Sequence, residues 1–251
     1  MSRKVRYILI AVLTVSLAVG MSFVLDLVHA SRAEILCRKI DVTLLDDFMF
    51  FDSTQVCALV RKSYGPCLDE PLDSIRLSEI ESLLESRGVI QKSEVWTTDD
   101  GVLHIDIRQR RPEIRCDRGG RHLYIDRTGY VFSSEKLCTA NCQVIEGNIP
   151  RIEEEGEEAW VDGVLSLTDF MRSSKKLRDS LDKVIVDNKG DLVLTMKGHS
   201  ERFIFGSPSG FEDKFEKMDR YFSHIAPSCG NGFYKSVNLK YNKQLICRKD
   251  I

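Results

Sequence analysis

The chain has 251 residues, with 36 Lys+Arg against 38 Asp+Glu, 43% hydrophobic side chains and a formal charge of −2. This composition excludes a disordered or collagen-like chain, and the near-neutral charge gives no case for a nucleic-acid binder. Eight Cys in this length are too few for a small disulfide scaffold, and the length fits one or two domains.

Residues 1–6 carry three positive charges and no acid, which leaves −5 for the rest of the chain. From Tyr7 to Leu25 no side chain is charged. As a helix at about 1.5 Å per residue, that run is about 28 Å long, close to a bilayer core of roughly 30 Å. It reads as a transmembrane helix over 7–28, with 1–6 as a cytoplasmic tail and 29–36 as a spacer. The positive-inside rule then places everything after the span outside the cytoplasm. A signal peptide is the competing reading, with Val28-His29-Ala30 as its cleavage site, but secretory apolar regions run only about 7–15 residues. Both readings export the main body.

Ile40, Val42 and Leu44 alternate with Asp41 and Thr43, as in a strand. Asp52 or Ser53 caps a helix through Val56, Leu59 and Val60, which Gly65-Pro66 stops. Ser78 and Glu81 have capping-box spacing ahead of a second helix carrying Ile80, Leu83 and Leu84. Val89–Trp96 and Val102–Arg108 read as strands joined by the turn Asp99-Asp100-Gly101. Strand, helix, helix, strand, strand over 37–115 predicts a small α+β layer, with both helices on one face of a three-stranded sheet.

From Cys116 to the end, at 251, the pattern is β-rich, and an antiparallel sheet with a few helices is expected. Strands are predicted near Leu123–Ile125, Tyr130–Phe132, Cys142–Ile145, Val184–Val186, Leu192–Met196 and Phe203–Phe205, and a helix over Val164–Arg172. Five Glu within 153–158 read as a solvated loop. Phe211, Phe215, Met218 and Phe222 are spaced as the core-facing stripe of a helix. Ser236–Tyr241 and Gln244–Lys249 form a terminal hairpin around Asn242-Lys243. An outermost strand there leaves N–H and C=O groups free to template another chain's strand.

No catalytic constellation emerges, and no enzyme is predicted. The five His make no zinc-hydrolase pattern, and Gly206-Ser207-Pro208-Ser209-Gly210 lacks Ser at the central position of a nucleophile elbow. Nothing calls for a cofactor, a metal or a small-molecule substrate. In an oxidising compartment the eight Cys could form up to four disulfides, and spacing does not assign their pairing.

The layout of basic tail, single span, strand-helix-helix-strand-strand module and β-rich domain resembles the bacterial cell-division family FtsQ/DivIB, and the first module resembles a POTRA domain. Ser93-Glu94-Val95-Trp96, Asp100-Gly101-Val102-Leu103-His104-Ile105 and Gln109-Arg110-Arg111-Pro112 resemble the POTRA closing hairpin and its exit. Tyr124-Ile125-Asp126-Arg127-Thr128-Gly129-Tyr130-Val131-Phe132 resembles the opening of the second domain, and Val237-Asn238-Leu239-Lys240-Tyr241 its close. Ser133 and Ser134 stand where family members often carry Pro.

The resemblance implies a non-enzymatic organiser in the inner membrane at the division septum. It implies strand pairing with FtsB, which travels with FtsL. The implied surface is Leu239, Lys240, Tyr241, Gln244, Leu245, Ile246, Cys247 and Arg248. The competing expectations are a POTRA-bearing protein that handles polypeptides in envelope assembly or secretion, and a membrane-anchored cell-wall hydrolase.

Overall fold

Residues 12–24, 35–48, 50–134, 137–138, 140–230 and 232–249 are described in the computed structural model. Residues 12–24 are helical, with Ser16 and Ser22 donating to the carbonyls of Leu13 (2.9 Å) and Ala18 (3.1 Å). These back-bonds satisfy both hydroxyls inside the helix. Among the described residues no helix is long and apolar enough to cross a membrane. The transmembrane helix expected over 7–28 is not found among the described residues. Residues 1–6, 7–11 and 25–34 lie outside the described ones.

Two units follow, Met1–Asp47 with Phe51–Gln109 and Phe48–Phe50 with Arg110–Ile251. In the first, β1 (Lys39–Leu44), α1 (Ser53–Ser63), α2 (Leu77–Glu85), β2 (Ile90–Thr98) and β3 (Val102–Gln109) keep the expected order. β3 is central, parallel to β1 and antiparallel to β2. Strand alternation puts Leu103, Ile105 and Ile107 on one face, where all three are fully buried with Val56 and Val60 of α1 and Ile80 and Leu84 of α2. The Asp52 carboxylate accepts the Gln55 N–H at 2.9 Å, and Gln55 Oε1 accepts the Asp52 N–H at 3.1 Å, closing a capping box on α1. The box expected at Ser78 and Glu81 does not form. α2 starts after Arg76 with no side-chain cap, and Glu81 instead accepts the N–H of Val95 at 2.9 Å. A part-buried strand amide without a strand partner is a more demanding acceptor site than a helix end open to water.

Gly101 makes the β2–β3 turn at φ +85°, donating to the Thr98 carbonyl at 3.0 Å and accepting from the Arg38 N–H at 2.7 Å. A Cβ here would lie 2.6 Å from the Leu36 carbonyl oxygen, so only glycine fits this approach.

The second unit is a nine-stranded sheet ordered β12-β11-β10-β9-β8-β7-β4-β5-β6. Its strands are β4 (Pro112–Arg118), β5 (Arg121–Asp126), β6 (Val131–Ser133), β7 (Gln143–Gly147), β8 (Leu181–Val186), β9 (Leu192–Met196), β10 (Arg202–Gly206), β11 (Ser236–Asn238) and β12 (Ile246–Arg248). The sheet is mixed rather than antiparallel, because β4–β7, β7–β8 and β10–β11 run parallel. Intervening chain makes those connections possible. α3 (Glu158–Ser173) and α4 (Lys175–Ser180) lie between β7 and β8. α5 (Phe211–Arg220), a π turn (Tyr221–Ile225) and α6 (Ala226–Cys229) lie between β10 and β11. β4 was not foreseen as a strand, and residues 110–115, expected in the first domain, belong to this unit. α3 begins at Glu158, six residues before its predicted start. Ile114, Ile125, Val164, Leu194, Phe203, Phe205 and Val237 make the middle of the core.

Candidate partner-binding edge

β12 is the outermost strand at one end of this sheet, and β6 at the other. β12 pairs antiparallel with β11, with Ser236 opposite Arg248, Val237 opposite Cys247 and Asn238 opposite Ile246. The Lys235 N–H donates to the Arg248 carbonyl at 2.8 Å, just beyond that ladder. β11 in turn lies parallel to β10, with Val237 opposite Phe203. The edge thus hangs on a strand whose central residue, Val237, is fully buried.

The predicted surface residues separate in space. Leu239 has no exposure and belongs to the core. Strand alternation sends it inward with Val237, so its side chain cannot meet a partner. Tyr241 is 51% exposed and Ile246 37% exposed, and Gln244 and Arg248 are exposed. Leu245 and Cys247 are half-buried and pack on the core. Burial pushes the Cys247 thiol up, with a further push from Cys229. Lys249 carries its ammonium 3.9 Å from the centre of the Phe233 ring, a cation–π contact beside the edge.

Lys240 is already engaged. Its Nζ lies 2.8 and 2.7 Å from the two Asp191 oxygens, and that hydrogen bond raises it above the ordinary ammonium value. Its stem crosses Gly206, where a Cβ would come within 2.8 Å of Lys240 Cγ.

The residues that hold this edge were not among those singled out from sequence. Lys217 of α5 is buried, and its Nζ donates to the carbonyls of Leu239 (3.1 Å) and Tyr241 (2.8 Å) and pairs with Asp213 at 2.6 Å. One cation therefore ties the segment after β11 to the helix. The signal was present: Lys214 and Lys217 flank the Phe211, Phe215, Met218 stripe closely enough to share its buried side. Glu201, before β10, is also fully buried. Its Oε1 accepts the Tyr221 hydroxyl (3.0 Å) and the Gly232 N–H (3.2 Å), fixing the chain that leads into β11. Burial, then the Glu201 carboxylate, pushes the Tyr221 phenol up.

All eight Cys are free thiols. Burial pushes Cys116 up to about 12, far from a reactive thiolate. Among the described residues no three His, Cys, Asp or Glu gather as metal ligands.

A β-α-α-β-β module is followed in the chain by a mixed sheet whose outermost strand at one end is the C-terminal β12. The family model described as "POTRA-like domain" matches residues 35–108, and the one described as "FtsQ/DivIB, C-terminal related" matches 111–248, more than half of the chain. The chain belongs to the FtsQ/DivIB family. No curated protein matches it in sequence.

Proposed function

We propose that this cell-division protein is a non-enzymatic, single-pass membrane organiser that recruits a partner of the FtsB kind, with FtsL, by strand addition at β12. The observation that carries the reading is the place of β12, outermost in its sheet, with Ile246 and Arg248 exposed on it and Tyr241 exposed beside it. An added strand would complete backbone hydrogen bonds, and these side chains would select the partner. Tyr241 is the aromatic anchor in this reading. Lys240 contributes through its pair with Asp191, Cys247 and Leu245 by backing the strand, and Leu239 by holding it in register. The basic residues 1–6 and the uncharged run from Tyr7 to Leu25 support an inner-membrane anchor with the folded units outside.

Co-purification with FtsB and FtsL from membranes tests the edge. Tyr241→Ala and Ile246→Asp should each cut recovery at least tenfold, while circular dichroism and melting stay native. Full recovery with both substitutions present would overturn the assignment. Depletion in the host should give growing, unseptated filaments. Normal septation with a leaky envelope would instead favour an envelope-assembly role.

A further inference from the structure

β2 is an edge strand of the three-stranded sheet, since β3 is its one strand neighbour. An edge strand of nine residues ordinarily offers a row of amides to any strand that meets it. Here two of those amides are already taken. The Ser93 N–H donates to Glu85 Oε1 at 3.0 Å, and the Val95 N–H to Glu81 Oε1 at 2.9 Å. The Ser93 hydroxyl adds a bond to the Glu81 carbonyl at 3.3 Å.

The two periodicities explain why this works. Alternate amides on one side of a strand repeat about every 6.6–6.8 Å. Residues four apart on a helix repeat about every 6 Å along its axis. Glu81 and Glu85 are four apart, Ser93 and Val95 two apart, and so a single placement of α2 serves both amides. Both acceptors are carboxylates, which makes these the stronger class of hydrogen bond. The helix thus presents the acceptors that a neighbouring strand's carbonyls would otherwise supply.

We propose that Glu81 and Glu85 form a latch that closes β2 against strand addition, and that the strand it excludes is β2 of a second copy of this chain. The sequence of β2 is self-complementary. Antiparallel pairing centred on Ser93 puts Lys92 of one copy opposite Glu94 of the other, a favourable cross-strand pair. Each strand now makes that ion pair within itself, with Lys92 Nζ 2.5 Å from Glu94 Oε1. Backbone donors at Ser93 and Val95 are what self-pairing would need, and the latch occupies them. This inference rests on the first unit alone and stands or falls separately from the reading of β12.

Hydrogen exchange and sedimentation of the full chain in detergent test it. In E81A/E85A, at dilutions where sedimentation shows a monomer, the Ser93 and Val95 amides should exchange at least tenfold faster than in the native chain. The weight-average mass should also rise with concentration where the native chain's does not. E81Q/E85Q, which keeps an acceptor oxygen at each position, should fall between. Adding K92E should abolish the association by setting Glu opposite Glu, and K92E/E94K should restore it. Loss of a fold contact alone would not follow that charge pattern. Exchange within twofold of native in E81A/E85A, or association indifferent to the charge swap, would overturn the latch. Should E81A/E85A fail to fold, E85A carries the same reading. Tenfold faster exchange at Ser93 with Val95 unchanged supports it, and equal rates at the two amides overturn it.

Discussion

Replacing Lys217 by Met should loosen the segment that leads from β11 to β12. Met keeps most of the aliphatic stem in the core and removes the ammonium that bonds the carbonyls of Leu239 and Tyr241. A hydrogen bond from a charged donor is worth roughly 1.5–3 kcal/mol net. The bond to Leu239 sits in buried surroundings and belongs at the upper end. Tyr241 is exposed, so water can replace part of the second. The pair with Asp213 adds at most about 1 kcal/mol, because that carboxylate faces solvent. The expected loss is about 4–5 kcal/mol, which in a unit of this size lowers Tm by roughly 8–20 °C. Calorimetry reads the melting point, and hydrogen exchange reads the amides of Leu239 and Gln244–Arg248, which should lose protection before the rest of the sheet. Partner recovery should fall in parallel. A Tm within about 1 °C of native, with those amides still protected, would refute the view that this cation holds the edge.

Gly101→Ala forces a side chain into a positive-φ turn and against the Leu36 carbonyl oxygen. The expected cost is about 2–4 kcal/mol from backbone strain and displacement, read as a lower urea midpoint; an unchanged midpoint would show that the turn relaxes freely. Asp126 should titrate below the ordinary carboxylate range. Burial alone would raise it, but the Thr128 hydroxyl (2.6 Å), Arg110 (2.6 Å) and the backbone amides of Thr128 and Tyr130 overcome this. With the folded value depressed, its stabilisation is complete above the unfolded value of about 3.9 and is lost as pH falls through the folded one. Asp126→Asn should therefore remove part of the acid-limb pH dependence, and a carboxyl NMR midpoint at or above the unfolded value would contradict the assignment.

The strand-helix-helix-strand-strand order was legible because it is written locally. Alternation at Leu103, Ile105 and Ile107 and an Asp-Gly turn each specify their element without help from distant chain. β4 was hidden because its parallel partner, β7, lies across a long loop, and Pro112 and the preceding arginines look like a linker. Glu81 shows a local pattern overruled by a tertiary one: capping-box spacing was present, but the amide of Val95 claimed the carboxylate. At the candidate edge, exposure of Ile246 follows from its place opposite Asn238, whereas Tyr241 shares the parity of Val237 and Leu239 and is exposed because the strand ends before it. The same alternation, applied strictly, sends Leu239 inward with Val237. The role of Lys217 was not legible, since no local rule says which carbonyls a half-apolar helix face will meet.

The strand order of the second sheet has a mechanical consequence. Neighbouring strands rotate by roughly 20° in a twisted sheet, so the eight steps from β6 to β12 accumulate roughly 160°. The outermost strand is then the far end of a long lever. A change of a few degrees at each of several interior pairings, such as β7–β8 or β9–β10, would swing β12 through a much larger angle. Substitutions deep in the sheet would re-aim β12 without altering one residue on it.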